Sequence, residues 1–104
     1  MKKIYYLSTC DTCARIIRRL GGMEEFEKQD IKTDRITAGQ LDEMKKLAGS
    51  FESLFSRRAL LYKERNLKEV NLEEEDYRRL ILEEYTFLKR PVIIIGRKIF
   101  VGND

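Results

Sequence analysis

Apolar and polar positions along the chain change their period several times, and each change marks an element. Residues 3–7, Lys3-Ile4-Tyr5-Tyr6-Leu7, form a β-branched and aromatic run that predicts a buried first strand. Residues 8–12 are a polar turn. Apolar residues then recur at Cys13, Ile16, Ile17 and Leu20, the i, i+3, i+4, i+7 stripe of an amphipathic helix. Gly21-Gly22 stops this helix; Arg15, Arg18 and Arg19 lie off the buried stripe, the last two at its negative end. Residues 26–31 read as a second, more polar strand. Thr37 and Gln40 have capping-box spacing and open a helix with Leu41, Met44, Leu47 and Ala48 inward, closed by Gly49. Residues 50–57 predict a short helix with Phe51, Leu54 and Phe55 inward, and helical structure resumes over 60–66. Asn71 is expected to cap a further helix that packs Tyr77, Leu80 and Ile81, with Glu73, Glu74 and Glu75 at its positive end. Residues 91–95 form a buried strand, and Gly96-Arg97 turns residues 98–101 back as a hairpin partner.

The order is strand, helix, strand, a long helical stretch and a hairpin. A β-α-β start pairs its two strands in parallel through a right-handed crossover, and the hairpin adds antiparallel partners. This is an α/β layout: a thioredoxin-like fold with a mixed four-stranded sheet and an inserted helical subdomain at about 36–86. There are no repeats, low-complexity tracts or linkers, so residues 1–104 are expected to form a single domain.

Composition narrows the function. The 104 residues are 42% hydrophobic, enough for a core despite 38% charged residues. The chain has no stretch of membrane-span length and turns polar by Ser8, so a signal peptide is not expected. The reading is a soluble, cytoplasmic monomer. Net charge is only +3 and is dispersed among segments of both signs, which argues against direct nucleic-acid binding. Histidine is absent, which removes His-based acid–base catalysis and His–metal sites.

The two cysteines form Cys10-Asp11-Thr12-Cys13 where the first strand hands over to the first helix. Backbone N–H groups at a helix N-terminus favour a thiolate, so Cys10 is the candidate nucleophile. Cys13, within the first turn, is the candidate resolving thiol. Two bland readings compete: Cys13 as a small core residue and Cys10 as inert. A zinc site would need four ligands, and two cysteines with no histidine cannot supply them; no metal or bound cofactor is expected.

Arg90-Pro91 precedes the buried strand. In a thioredoxin-like layout this proline lies beside the cysteine loop, where a cis bond would open the residue-90 backbone toward the sulfur. The competing reading is an ordinary strand-start proline. Arg90 would then aim its guanidinium at the thiolate, where it can hold an oxyanion bidentately. Arg57 and Arg58 add positive charge between helical pieces, or else lie on a solvated surface.

Cys10-Asp11-Thr12-Cys13 after Lys3-Ile4-Tyr5-Tyr6, Ser56-Arg57-Arg58 followed by Tyr62-Lys63, and Leu88-Lys89-Arg90-Pro91-Val92-Ile93 together resemble the arsenate reductase (ArsC) / Spx family over nearly the whole chain. The resemblance implies a thiol-dependent oxidoreductase with Cys10 as nucleophile. An arsenate–cysteine adduct would be cradled by arginines, with arsenite released after attack by glutathione and glutaredoxin. It matches Arg90 to the arginine before a cis proline and Arg58 to an arginine of the helical subdomain, with Arg57 a near alternative; Thr12 and Pro91 complete the expected binding set. Reductases of the family place a third arginine near Val101-Gly102-Asn103, where this chain has none, and can carry a histidine where Tyr6 stands. The second cysteine and the Val101-Gly102 ending instead resemble Spx, a redox-switched regulator that binds the RNA polymerase α subunit. The family also implies a helix beyond this point. Three readings follow: an arsenate-reductase-like enzyme with glutathione as co-substrate, an Spx-like redox-sensing transcription regulator, and a generic glutaredoxin-like disulfide reductase.

Overall fold

The computed structural model describes residues 1–102. Along them run β1 (Lys2–Tyr6), α1 (Asp11–Arg19), β2 (Glu27–Asp30), α2 (Ala38–Ala48), α3 (Leu60–Glu64), α4 (Glu74–Glu83), β3 (Val92–Ile95) and β4 (Lys98–Val101). Single 3₁₀ turns occur at Gly21–Met23, Glu52–Leu54, Leu67–Glu69 and Tyr85–Phe87. The chain forms two compact units, Met1–Arg35 joined by the segment from Arg90 onward, and Ile36–Lys89. Among the described residues no helix is long and apolar enough to cross a membrane.

The first unit holds a mixed sheet in the order β2-β1-β3-β4. β1 runs parallel to β2 and antiparallel to β3, and β3 and β4 form the terminal hairpin, the expected thioredoxin-like arrangement. Ile4 lies opposite Lys28 on one side and Ile93 on the other. Ile4, Ile93 and Met23 are buried together, with Tyr6, Ile16, Ile17 and Phe26 packed against them, so Ile16 and Ile17 of α1 cover this face, while Leu20, the last position of the expected stripe, caps the helix end and is exposed. Truncating Ile4 to alanine would cost ~2–5 kcal/mol by loss of burial and the cavity left behind. β2 is an edge strand, and its charge follows from that: Glu27 pairs with Lys3 at 3.2 Å, and charged side chains keep an open edge from pairing with other chains.

In the second unit α2 starts at the expected capping box. The Gln40 N–H donates to Thr37 Oγ1 and the Thr37 N–H donates to Gln40 Oε1, both at 3.0 Å. Phe55 centres an aromatic cluster, with ring centroids 4.9 Å from Tyr77, 5.1 Å from Phe87 and 6.0 Å from Tyr62. Arg78 on α4 grips Asp42 on α2 through two hydrogen bonds of 2.9 and 3.2 Å, a bidentate pair that fixes the two helices together.

Three local expectations give way here. Asn71 does not cap α4: Glu73 is the N-cap, and its N–H donates to Asp76 Oδ2 at 2.9 Å. A Glu-x-x-Asp box thus replaces the shorter amide side chain two residues earlier. Residues 50–57 are not a helix beyond the turn Glu52–Leu54, because Phe55 turns extended and bridges Leu88, while the Ser56 N–H donates to the Phe87 carbonyl at 2.7 Å. Tertiary pairing overrides local helical spacing at this point. α3 ends at Glu64 rather than running over 60–66, since Asn66 adopts a left-handed conformation (φ 54°) that no helix can continue through.

Candidate active site at the β1–α1 junction

β1 delivers the chain to a tight turn in which the Cys10 N–H donates to the Leu7 carbonyl at 3.0 Å. Cys10 is the N-cap of α1, with extended backbone (φ −95°, ψ 116°), and its carbonyl accepts the first helical bond from the Ala14 N–H at 3.1 Å. The thiol therefore stands where the amides of the first turn have no helical partner. Cys10 is half-buried and Cys13 fully buried, and both are free thiols.

Their acidities diverge. Partial burial works to raise the Cys10 thiol. It is outweighed by the N–H and the thiol of Cys13, the N–H of Thr12 and the charge of Arg90, so Cys10 lies below the ordinary thiol range. Burial pushes Cys13 up to about 11, against a lowering contact from the Leu7 backbone and with further raising by the hydrogen bond to Cys10. The pair is asymmetric, Cys10 the more acidic thiol and Cys13 the less.

Arg90 and Pro91 are joined by a cis peptide bond, the isomer expected on topology. The half-buried Arg90 acts electrostatically on both thiols. The structure thus brings Cys10, Thr12, Cys13 and Arg90 into one constellation; Thr12 contributes its main-chain amide. Tyr6, four residues before Cys10, packs against the Ile4 cluster as a core side chain.

Arg57 and Arg58 belong to the second unit. The Arg57 Nη2 donates to Glu52 Oε2 at 2.8 Å and to the Tyr77 hydroxyl at 3.1 Å. The Arg58 N–H donates to Oγ of the buried Ser56 at 3.3 Å. Arg57 is thus tied to an ion pair and a ring, whereas the backbone of Arg58 is set by a buried hydroxyl. Asn103, in the stretch where a third arginine falls in some reductases, lies outside the described residues.

One supporting contact escaped the sequence reading. Asp30, at the end of β2, accepts hydrogen bonds from the Ser8 hydroxyl and backbone, and from the Lys32 N–H at 3.1 Å. It ties the loop that carries Cys10 to the neighbouring parallel strand. The parallel pairing of β1 with β2, with Tyr6 opposite Asp30, brings the two together, and local sequence does not signal a contact across a crossover. Among the described residues no three His, Cys, Asp or Glu side chains are grouped so as to hold a metal ion.

The ArsC family model matches residues 5–104. No curated protein matches the chain in sequence. Among solved structures, an ArsC-family-related protein from Bacteroides fragilis is similar, with a TM-score of 0.83 at 23% identity, covering 97% of this chain and 88% of the other. An arsenate reductase from Vibrio cholerae superposes with a TM-score of 0.77 at 16% identity over 97% of this chain and 88% of that one. An arsenate reductase (ArsC) related protein from Brucella melitensis gives 0.73 at 28% identity over 97% and 85%. With a family model spanning residues 5–104 and the cysteine loop, cis proline and preceding arginine in place, the chain belongs to the ArsC family.

Proposed function

We propose that the protein is a thiol-dependent reductase of arsenate or a related oxyanion, with Cys10 as nucleophile. The single observation that carries this reading is the position of the half-buried Cys10 at the N-cap of α1, with Cys13 fully buried one turn on; the lowered Cys10 and raised Cys13 acidities accord with it. The Cys10 thiolate attacks arsenic(V) and forms an S–As bond as an arsenate hydroxyl leaves as water, one of its protons already on the protonated arsenate and the other taken from solvent. A second thiol then attacks the Cys10 sulfur. A disulfide forms, the S–As electron pair passes to arsenic, and arsenite leaves as arsenic(III); the two thiols together supply the two electrons. Arg90 stabilises the oxyanion because a guanidinium matches two oxygens at once in a partly desolvated site. Arg58 is the second candidate for this role.

Cys13 is a poor attacking thiol at neutral pH, since it is fully buried and ionises only near 11. An external thiol such as glutathione, with glutaredoxin to clear the mixed disulfide, is therefore the proposed resolving partner. The test is arsenate reduction coupled to glutathione and glutaredoxin. Cys10→Ser is expected to lose activity by at least ~10³-fold, since an alcohol remains protonated where the thiol ionises. Equal rates in the serine variant would remove Cys10 from the chemistry.

The hydrogen bond between Cys10 and Cys13 favours a second reading, an Spx-like regulator switched by a Cys10–Cys13 disulfide. Capture of the RNA polymerase α subunit that differs between oxidised and reduced protein would support it, and identical capture in both states would dismiss it.

A further inference from the structure

Gly102 directly follows β4, and its N–H donates to the Pro91 carbonyl at 2.8 Å. The other constrained glycines, Gly21, Gly22, Gly49 and Gly96, have positive φ and no atom closer than 3.9 Å to where a side chain would begin. Gly102 is the reverse case. Its φ lies outside the left-handed range, so backbone conformation does not demand glycine. Space does: a Cβ at this position would lie 2.7 Å from the Arg90 carbonyl carbon and 2.8 Å from Pro91 Cδ, with the Arg90 carbonyl oxygen nearer still. Contacts under 3.0 Å are essentially never made by real Cβ atoms, and two of these three partners are backbone, which cannot rotate away as a flexible side-chain tip can.

We propose that Gly102 is a positioning residue for the active site, its missing side chain letting the end of β4 lie directly on the Arg90–Pro91 backbone and so setting where Arg90 stands relative to Cys10. Any larger residue must push the Arg90 carbonyl outward, and the guanidinium moves with its backbone. Gly102 touches neither thiol in this account; it acts through Arg90. The inference rests on the part of the functional reading in which Arg90 acts on Cys10, and is independent of the identity of the oxyanion.

The test is the pH dependence of Cys10 alkylation by iodoacetamide in the full chain, with Cys13 replaced by alanine throughout so that one thiol reports. Arg90→Gln is expected to raise the midpoint. Gly102→Ala is expected to raise it in the same direction by about half a pH unit, a roughly threefold slower reaction near neutrality. The double variant should match Arg90→Gln alone, because both changes remove one effect. A normal midpoint in Gly102→Ala with a raised one in Arg90→Gln would overturn the role of Gly102 alone. Normal midpoints in both would overturn the Arg90–Cys10 reading and the inference with it. Additive shifts would show that Gly102 acts otherwise than through Arg90. A melt of each variant verifies that the profiles come from folded protein. If Gly102→Ala does not fold, the Gly102 amide resonance of the unaltered residue carries the test: it should titrate with Cys10 and lose most of that response in Arg90→Gln, whereas an invariant resonance overturns the proposal.

Discussion

The thiols of Cys10 and Cys13 act on each other's acidity in opposite senses: Cys13 helps lower Cys10 below the ordinary thiol range, and Cys10 adds to the burial that pushes Cys13 up to about 11. Burial alone would hold Cys13 neutral, and the contact then turns that neutral thiol into a donor toward its neighbour. Replacing Cys13 with alanine removes the donor but leaves the amides of Thr12 and residue 13 in place. Cys10 alkylation should therefore shift to higher pH while keeping part of its activation. Turnover of arsenate with glutathione and glutaredoxin should persist within about tenfold, because an external thiol can complete the cycle. Complete loss of turnover in folded Cys13→Ala protein would make Cys13 the resolving thiol after all.

The same pair gives stability a dependence on alkaline pH. Cys13 is raised from 9.0 to about 11 in the folded chain. As pH climbs past the ordinary thiol value, the unfolded chain gives up this proton while the folded chain keeps it. The folded state then binds more protons, so stability falls with rising pH. The contribution is fully present below about pH 9 and is lost as pH approaches about 11. The loss is on the order of 2–3 kcal/mol for this one group. Urea unfolding of the original chain and of Cys13→Ala at neutral pH and near pH 10.5 measures it, with the alanine variant expected to lose less stability over that interval. Equal losses in both would place the proton elsewhere.

What sequence could and could not supply follows from how far each contact reaches. The cysteine loop, the α1 stripe, the Thr37–Gln40 cap and the terminal hairpin depend on residues a few positions apart, and all are legible in spacing. The mixed sheet follows from element order and the handedness of crossovers. Phe55 defeats local reading because its bridge to Leu88 spans the whole of α3 and α4. Asp30 is invisible because its partner Ser8 lies across a crossover; Gly102 ends the legible hairpin, but spacing does not show that its missing side chain is what admits the Arg90 carbonyl. The polar shell of the site, more than its nucleophile, was hidden in the one-dimensional pattern.

Arg57 and Arg58 should separate by assay. Arg57 bonds Glu52 and the Tyr77 hydroxyl, on a half-exposed side chain. Arg57→Met is expected to lower stability by no more than about 1 kcal/mol, the usual range for an exposed pair, with turnover little changed. Arg58→Met should raise the arsenate KM or lower kcat by about tenfold or more, as loss of an oxyanion contact does. The reverse pattern, with Arg57→Met inactive and Arg58→Met normal, would exchange their roles.

The Asp30–Ser8 contact makes the loop of Cys10 sensitive to acid. The Ser8 hydroxyl is the main cause that holds the Asp30 carboxyl below the usual carboxylate range; slight burial opposes it, and the Lys32 and Ser8 amides and the Lys32 charge add to it. A carboxylate depressed on folding contributes stability that is complete above its ordinary range and disappears as pH falls through its folded value. Asp30→Asn should thus flatten the acid limb of the stability curve compared with the unaltered chain. It should also slow oxyanion turnover by about tenfold, since small misplacements of a nucleophile are costly. Ser8→Ala is expected to give the same loss, and the Ser8→Ala/Asp30→Asn double variant no more than either alone, because one tether is being cut from its two ends. If the two losses multiply instead, Ser8 and Asp30 serve the site separately, and the anchoring of the cysteine loop must come from the Cys10–Leu7 turn.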